Sequence, residues 1–287
     1  MNKVNELKKL KSKSNIETII KYIICCLFAF LVVVPLYIAV SGGFKGLGQL
    51  NVDPIGIPQP LVWQNYTRIV TGEVSHFMNY LKNTMIIMCF TVLFDLFLAS
   101  CAGFALSRFK FKGREVIFNY FILGLLFPLT IAILPLYIQI RSLNLLNTHM
   151  GVILPQVAFQ MPFHILLFRT FFRDIPNELE DACTIDGCGK LGFLLNIVIP
   201  LSKPVIATVC VLSIIFSWNG YFLPLIILND LENFTLPMGI FDFFGQYMTE
   251  WNMILAFITL AMIPAVIFYF LAQKYIVAGL TSGAIKS

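Results

Sequence analysis

The chain has 287 residues, 58% of them apolar (AVILMFWYC) and 12% charged, with a formal net charge of +5; its mean hydropathy is +0.83. A soluble domain carries about 25% charged residues, so this composition excludes a soluble enzyme and a disordered chain. It also excludes a nucleic-acid binder, whose basic groups would form one face of a polar surface. The composition is that of an integral membrane protein.

A bilayer core of about 30 Å is crossed by roughly 20 apolar residues in a helix. Six runs approach that length, at Ile19–Val40, Leu81–Leu106, Val116–Gln139, Met150–Phe168, Val205–Leu228 and Met253–Leu271. They are apolar on all sides and do not alternate, which predicts helices and excludes barrel strands. The first is longer than the core of a cleavable signal peptide and is read as a retained helix. The expected fold is all-α with six transmembrane helices. A basic arm covers 1–18, the six-helix domain 19–275 with a loop at 173–200, and a tail 276–287. Pro35, Pro128, Pro135, Pro155, Pro162, Pro224 and Pro264 lie in or at the ends of the runs. Each removes a backbone donor and can kink its helix, which suits a bundle that moves around a central path; prolines are also simply better tolerated in membrane helices.

Basic loops remain cytoplasmic. The N-terminal arm, the second-to-third connection (Arg108, Lys110, Lys112, Arg114), the fourth-to-fifth connection (Arg169, Arg173, Lys190, Lys203) and the tail (Lys274, Lys286) hold sixteen Lys and Arg, against four on the other side. Both termini are therefore expected in the cytoplasm. The polar outer loop at Gly42–Met78, with Trp63-Gln64-Asn65-Tyr66, is polar enough to meet an external binding protein.

Catalytic chemistry is sparse. Five of the seven cysteines (Cys25, Cys26, Cys89, Cys101, Cys210) sit in apolar runs, where a thiol acts as a small apolar group. Cys183 and Cys188 have no second pair or histidine beside them, so neither a disulfide nor a metal site is expected. His76, His149 and His164 are scattered, without HExxH or paired carboxylates, and no catalytic residue is assigned. Asp186-Gly187-Cys188-Gly189-Lys190 is superficially similar to a phosphate loop, but Thr184 and Leu191 stand where glycine and a hydroxyl residue are needed. An energy source must come from an ion gradient or a partner subunit.

The most informative segment is the loop from Arg173 to Lys190. Asn177 can cap a helix whose third residue is Glu180, a capping box, after Pro176 ends the preceding helix. Along this helix Leu179, Ala182 and Cys183 form one small apolar face while Glu178 and Asp181 point away. Gly187 allows a left-handed exit, and a second helix can start over Asp186. Such a helix–turn–helix is too small to bury its own face.

Here the sequence resembles the membrane-spanning subunits of binding-protein-dependent ABC importers, particularly sugar permeases of the maltose-transporter type. Their loop reads Glu-Ala-Ala, three residues, Gly, then about nine residues to Ile-x-Leu-Pro. Glu180-Asp181-Ala182, Asp186-Gly187 and Ile197-Val198-Ile199-Pro200-Leu201 stand in those places. Asp181 replaces the first alanine and Ile199 the leucine; Ala182 and Gly187 are retained. Phe104-Ala105-Leu106-Ser107-Arg108-Phe109 before Lys112-Gly113-Arg114, Trp218-Asn219 before Pro224-Leu225, and the tail Gly279 to Lys286 are similar to the family's pattern in the same order.

The resemblance implies an ABC importer type I permease domain in a bacterial or archaeal plasma membrane. It implies a second homologous permease, an ATPase dimer that carries ATP and Mg, an extracytoplasmic solute-binding protein and a sugar substrate, with no cofactor on this chain. It also implies that the loop helix (Glu178, Leu179, Glu180, Asp181, Ala182, Cys183, Asp186, Gly187) docks on the ATPase, with Glu180 facing basic groups there. The tail residues Gly283 and Lys286 would reach the same dimer. Within the spans, Asp95 is a candidate to line the path or to pair inside the bundle. Trp218 and Asn219 combine the ring and amide that sugars favour, or serve helix packing. The rival reading is a self-sufficient secondary transporter, but the halves show no convincing repeat and the spans hold essentially Asp95 alone as a coupling group. A membrane-embedded enzyme would need convergent titratable groups that are not seen.

Overall fold

The computed structural model describes residues 2–245 and 249–284, with side-chain surroundings defined for 18–245 and 249–273. Among the described residues thirteen α-helices run in chain order: α1 (Asn2–Gly43), α2 (Leu47–Val52), α3 (Gln64–Val70), α4 (Phe77–Arg108), α5 (Arg114–Gly124), α6 (Leu129–Ser142), α7 (His149–Arg173), α8 (Asn177–Ile185), α9 (Lys190–Phe193), α10 (Ile199–Leu201), α11 (Lys203–Trp218), α12 (Phe222–Ile227) and α13 (Trp251–Ala284). A π-turn at Leu194–Val198 joins α9 to α10. Among the described residues the β structure is an isolated bridge between Phe244 and Thr249. The all-α expectation holds. Residues 2–18 of the expected basic arm and 276–284 of the expected tail continue α1 and α13 as helix; the remaining arm and tail residues lie outside the described ones.

Among the described residues four helices are long and apolar enough to cross a membrane: Thr18–Gly43, Phe77–Arg108, His149–Arg173 and Trp251–Gln273. Two further stretches are broken pairs, α5 with α6 bent by 102° and Lys190–Leu201 with α11 bent by 78°. The first break ends at Pro128, which lacks a backbone donor and disfavours helix in the residue before it. The second falls at Ser202 between Pro200 and Pro204; the Ser202 hydroxyl donates to the Val198 carbonyl at 2.6 Å and remains buried. The chain therefore has four to six spans, according to whether each bent pair is one.

The chain divides into two compact units, 1–71 with 242–260 and 72–241 with 261–287. In the first unit, the segment that follows α1 is pinned by a buried lysine. Lys45 is fully buried, and its Nζ donates to the carbonyls of Asp53 at 2.8 Å and Pro54 at 3.0 Å. Asn65 donates to Gly43 O and Lys45 O, both at 2.9 Å. Burying a polar group is costly unless it is so satisfied.

The second unit is built on the α4–α7 pair. Gly103 lets the helices approach: a Cβ there would stand 2.6 Å from Cβ of Phe168 and 3.2 Å from the Arg169 nitrogen. Small residues at helix contacts are the usual basis of packing in lipid, where apolar burial gives little drive. One apolar core joins Ala99, Phe104, Leu106, Ile165, Phe168 and Phe172 to Cys183, Phe193, Val198 and Val209. A second core gathers Ile87, Val152, Ile153, Val157, Leu223 and Ile227. Thr148 caps α7 by accepting from the Gly151 nitrogen at 3.1 Å.

Candidate functional site

The loop helix forms where the sequence places it, but by different contacts. α8 begins at Asn177, with Pro176 in the cap position and no side-chain cap bond. The capping box is therefore not made. Asn177 Oδ1 instead accepts from Arg108 Nη1 at 2.8 Å, and the Glu180 carboxylate lies 3.5 Å from the same nitrogen. The reason is competition: a guanidinium offers stronger, charge-assisted bonds than a neutral backbone N–H. Arg108 also donates to the carbonyls of Phe172 and Ile175, the last being 2.5 Å away, and its side chain is 4% exposed. The end of α4, the end of α7 and the start of α8 are thus tied through one side chain. Counted in the sequence as a cytoplasmic charge and as one residue of the family-like segment Phe104–Phe109, with no role of its own, Arg108 is the organising residue of the loop.

Glu180, expected to face a partner's basic groups, spends its carboxylate inside the chain. It pairs with Arg108 and with Lys190 across the turn, and its side chain is 14% exposed. The exit from α8 follows the sequence reading more closely. Gly187 has φ +79°. The Cys188 nitrogen donates to Cys183 O at 2.8 Å and the Gly187 nitrogen to Thr184 O at 3.1 Å, the paired bonds of a Schellman turn. The next helix begins at Lys190, after Gly189, and not over Asp186.

The same turn overturns the expectation of free thiols. Cys183 and Cys188 are joined by a disulfide with Cα atoms 5.1 Å apart. A Schellman turn brings residues five apart side by side, within the separation that a disulfide spans. Sequence spacing alone does not show that proximity. No group of three or more His, Cys, Asp or Glu able to hold a metal occurs among the described residues.

The apolar face of α8 is divided. Cys183 is buried in the core, whereas Leu179 and Ala182 are exposed, at 37% for Leu179. Ile185, passed over in the sequence, is 86% exposed and extends them at the i, i+3, i+6 spacing. Glu178, Asp181 and Asp186 rim this face and are exposed. The geometry is a short helix anchored by Cys183 on one side and presenting unpartnered apolar side chains on the other.

Within the spans, Asp95 does not stand open to a path. It is fully buried and its Oδ2 lies 2.5 Å from Nδ1 of His164 on α7, itself 2% exposed. Thr91 and Gln156 bond across the same interface at 3.1 Å. Trp218 and Asn219 do come together, in an apolar cavity of about 290 Å³ whose lining includes Met85, Met88, Pro264 and Tyr269. The Asn219 amide nitrogen donates to the Ile215 carbonyl at 2.8 Å, so its oxygen remains for another donor. Gly283 falls in the last turn of α13; Lys286 lies outside the described residues.

Residues 95–282, from the buried aspartate through the α8 loop and into the last turn of α13, match the family model for the binding-protein-dependent transport system inner membrane component. The chain belongs to that family. It is 33% identical over 252 residues to the probable starch degradation products transport system permease protein AmyC of Thermoanaerobacterium thermosulfurigenes, covering 88% of this chain and 91% of that one. It is 32% identical over 282 residues to the melibiose/raffinose/stachyose import permease protein MelC of Bacillus subtilis (strain 168), covering 98% and 100%. Its fold matches a chain from the crystal structure of a bacterial ABC transporter that imports the acidic polysaccharide alginate, with a TM-score of 0.79, 25% identity and coverage of 91% and 96%. The protein is a multi-pass membrane permease subunit of an ABC importer, and the resemblance carried by its loop residues is borne out.

Proposed function

We propose that this permease pairs with a second, homologous permease to form a pathway for a sugar or oligosaccharide across a bacterial or archaeal plasma membrane. Two ATPase subunits carry ATP and Mg, and an extracytoplasmic binding protein delivers the solute. Each bent pair is one span, giving six with both termini cytoplasmic, in keeping with the distribution of Lys and Arg. The sugar class is supported by the relatives, which are permeases for starch degradation products and for melibiose, raffinose and stachyose, and by the structural neighbour, an importer of alginate.

The observation that carries the mechanism is the divided face of α8. Leu179, Ala182 and Ile185 offer an apolar ridge with an acidic rim, the form of a helix that docks in a groove. Behind it, Cys183 belongs to the same core as Phe168, Phe172, Val205 and Val209 of α7 and α11. Arg108 links α8 to the ends of α4 and α7. A push on the exposed ridge is therefore delivered to three membrane helices through packed side chains and charge-assisted bonds. The tail residues Gly283 and Lys286 make a second, smaller contact with the ATPase. Trp218 and Asn219 supply a ring and a free amide oxygen for a sugar on this subunit's side of the pathway.

The test is purification from the native membrane in mild detergent, with co-purifying chains identified by mass spectrometry. An ATPase and a second permease are expected. Recovery of this chain alone, folded and without either, would favour a self-sufficient transporter.

A further inference from the structure

Beside α8 the structure forms a broad basic cavity, bounded on one side by the Arg108 and Glu180 that tie α8 in place. Its volume is about 970 Å³, and Arg108, Lys110, Arg114, Arg173 and Lys190 line it together with Glu180 and Asp181. A second cavity of about 690 Å³ adjoins it, sharing Lys110, Phe111 and Arg114 and adding Lys112, Val116 and Glu115, whose carboxylate is already paired with Arg114 and Arg169. Most of these charges are already matched: Arg108 and Lys190 by Glu180, Arg114 by Glu115 at 3.1 Å. Lys110, Lys112 and Arg173 have no ion-pair partner among the described residues. Against this surplus the free carboxylate facing the cavity is Asp181, since Glu180 is engaged.

The surroundings of the cavity select among anions. It lies at the ends of two apolar spans, α4 at Arg108 and α7 at Arg173. Exposed Phe109 and Phe111 alternate with Lys110 and Lys112, the mixture of aromatic and basic groups found at a membrane surface. From the cavity mouth at Arg114, α5 runs on with Val116, Tyr120 and Leu123 at i, i+4 and i+7, exposed by 72%, 76% and 62%. A free phosphate or an acidic protein segment has no use for that stripe, whereas a molecule with an anionic head and apolar chains matches both parts.

We propose that the two adjoining cavities together bind an anionic phospholipid, its phosphate held at Lys110, which both share, with Arg173 on one side and Lys112 on the other, and its acyl chains lying along Val116, Tyr120 and Leu123. The lipid bridges the α4–α5 connection to the end of α7 at the foot of α8, and steadies the platform from which α8 projects. This goes beyond the importer reading and rests on it only in placing the basic side of the chain at a membrane surface.

Native mass spectrometry of the complete transporter, purified in mild detergent and given phosphatidylglycerol or phosphatidylcholine, tests the proposal. The wild type is expected to retain phosphatidylglycerol at least about tenfold better, a preference removed by combined Lys110→Ala, Lys112→Ala and Arg173→Ala and kept by Lys110→Arg with Lys112→Arg. Val116→Asp with Tyr120→Asp is expected to lower retention of the lipid without changing that of glycerol phosphate. Equal retention by the wild type and the triple alanine variant would overturn the proposal. So would displacement of the lipid by equimolar glycerol phosphate, which would make this a free-anion site. A triple variant that sheds the ATPase while keeping the lipid would make it a protein-docking surface instead. The subunit composition in the same spectra reports on the importer reading separately.

Discussion

The first and fourth apolar runs obey the same hydropathy rule and end in opposite environments. Of the most apolar window of α1, 6% is buried within the protein; of that of α7, the least apolar of the four long spans, 61% is buried. The other two fall between in the same order, 17% for the last span and 33% for α4. Water would give the reverse. In a bilayer the apolar side chain already has a compatible solvent, so what the protein encloses is what lipid cannot serve. α7 accordingly buries Gln156, Gln160 and His164, whereas α1 exposes Leu27, Phe28, Phe30 and Leu31. In this chain hydropathy marks which helices meet the membrane, and departure from it marks which ones build the bundle.

That contrast can be broken most severely at its polar centre. Replacing Asp95 with Ala leaves His164 buried without its partner and is expected to cost about 3–5 kcal/mol, read as a lower unfolding midpoint in detergent. An unchanged midpoint would mean the pair does not hold α4 to α7. Gly103→Leu drives a side chain into Phe168 and is expected to cost about 1–3 kcal/mol, again by thermal unfolding. Gly187→Val acts differently. No atom lies within 4 Å of the added Cβ, but φ of +79° strains a β-branched residue by about 1–2 kcal/mol. The variant should insert normally and lose solute-stimulated ATP hydrolysis; normal stimulation would contradict the role given to the turn. On the lipid side of the comparison, Leu31→Ala should change the unfolding midpoint by less than about 0.5 kcal/mol equivalent. A larger shift would show that α1 is held by more than lipid.

Much of this architecture is legible because it depends on local signals. Pro176 before α8 and Gly187 after it mark the loop helix within a residue of where it forms, and Gly187 takes the left-handed conformation its position requires. What eluded the sequence is pairing at long range. Asp95 and His164 are 69 residues apart, and nothing in either run names the other except that each stands well inside its apolar run. Arg108 resembled any other cytoplasmic charge, yet its reach to Phe172, Ile175, Asn177 and Glu180 replaces the expected capping box. The Cys183–Cys188 bond was missed for a related reason, since five-residue spacing becomes proximity only once the turn at Gly187 is known. Ile185 could have been found: it continues the spacing of Leu179 and Ala182, and a face scored to the end of the helix includes it.

The central claim is that the exposed ridge of α8 is the surface through which an ATPase drives the membrane helices. It is tested most directly by placing a photo-crosslinking residue at Ala182 or Ile185 in the assembled transporter, with Leu31 on the exposed side of α1 as the control. Irradiation is predicted to join the ATPase to the chain from Ala182 and Ile185 and not from Leu31. Capture of no ATPase from either α8 position, in a complex that still hydrolyses ATP in response to solute, would contradict it.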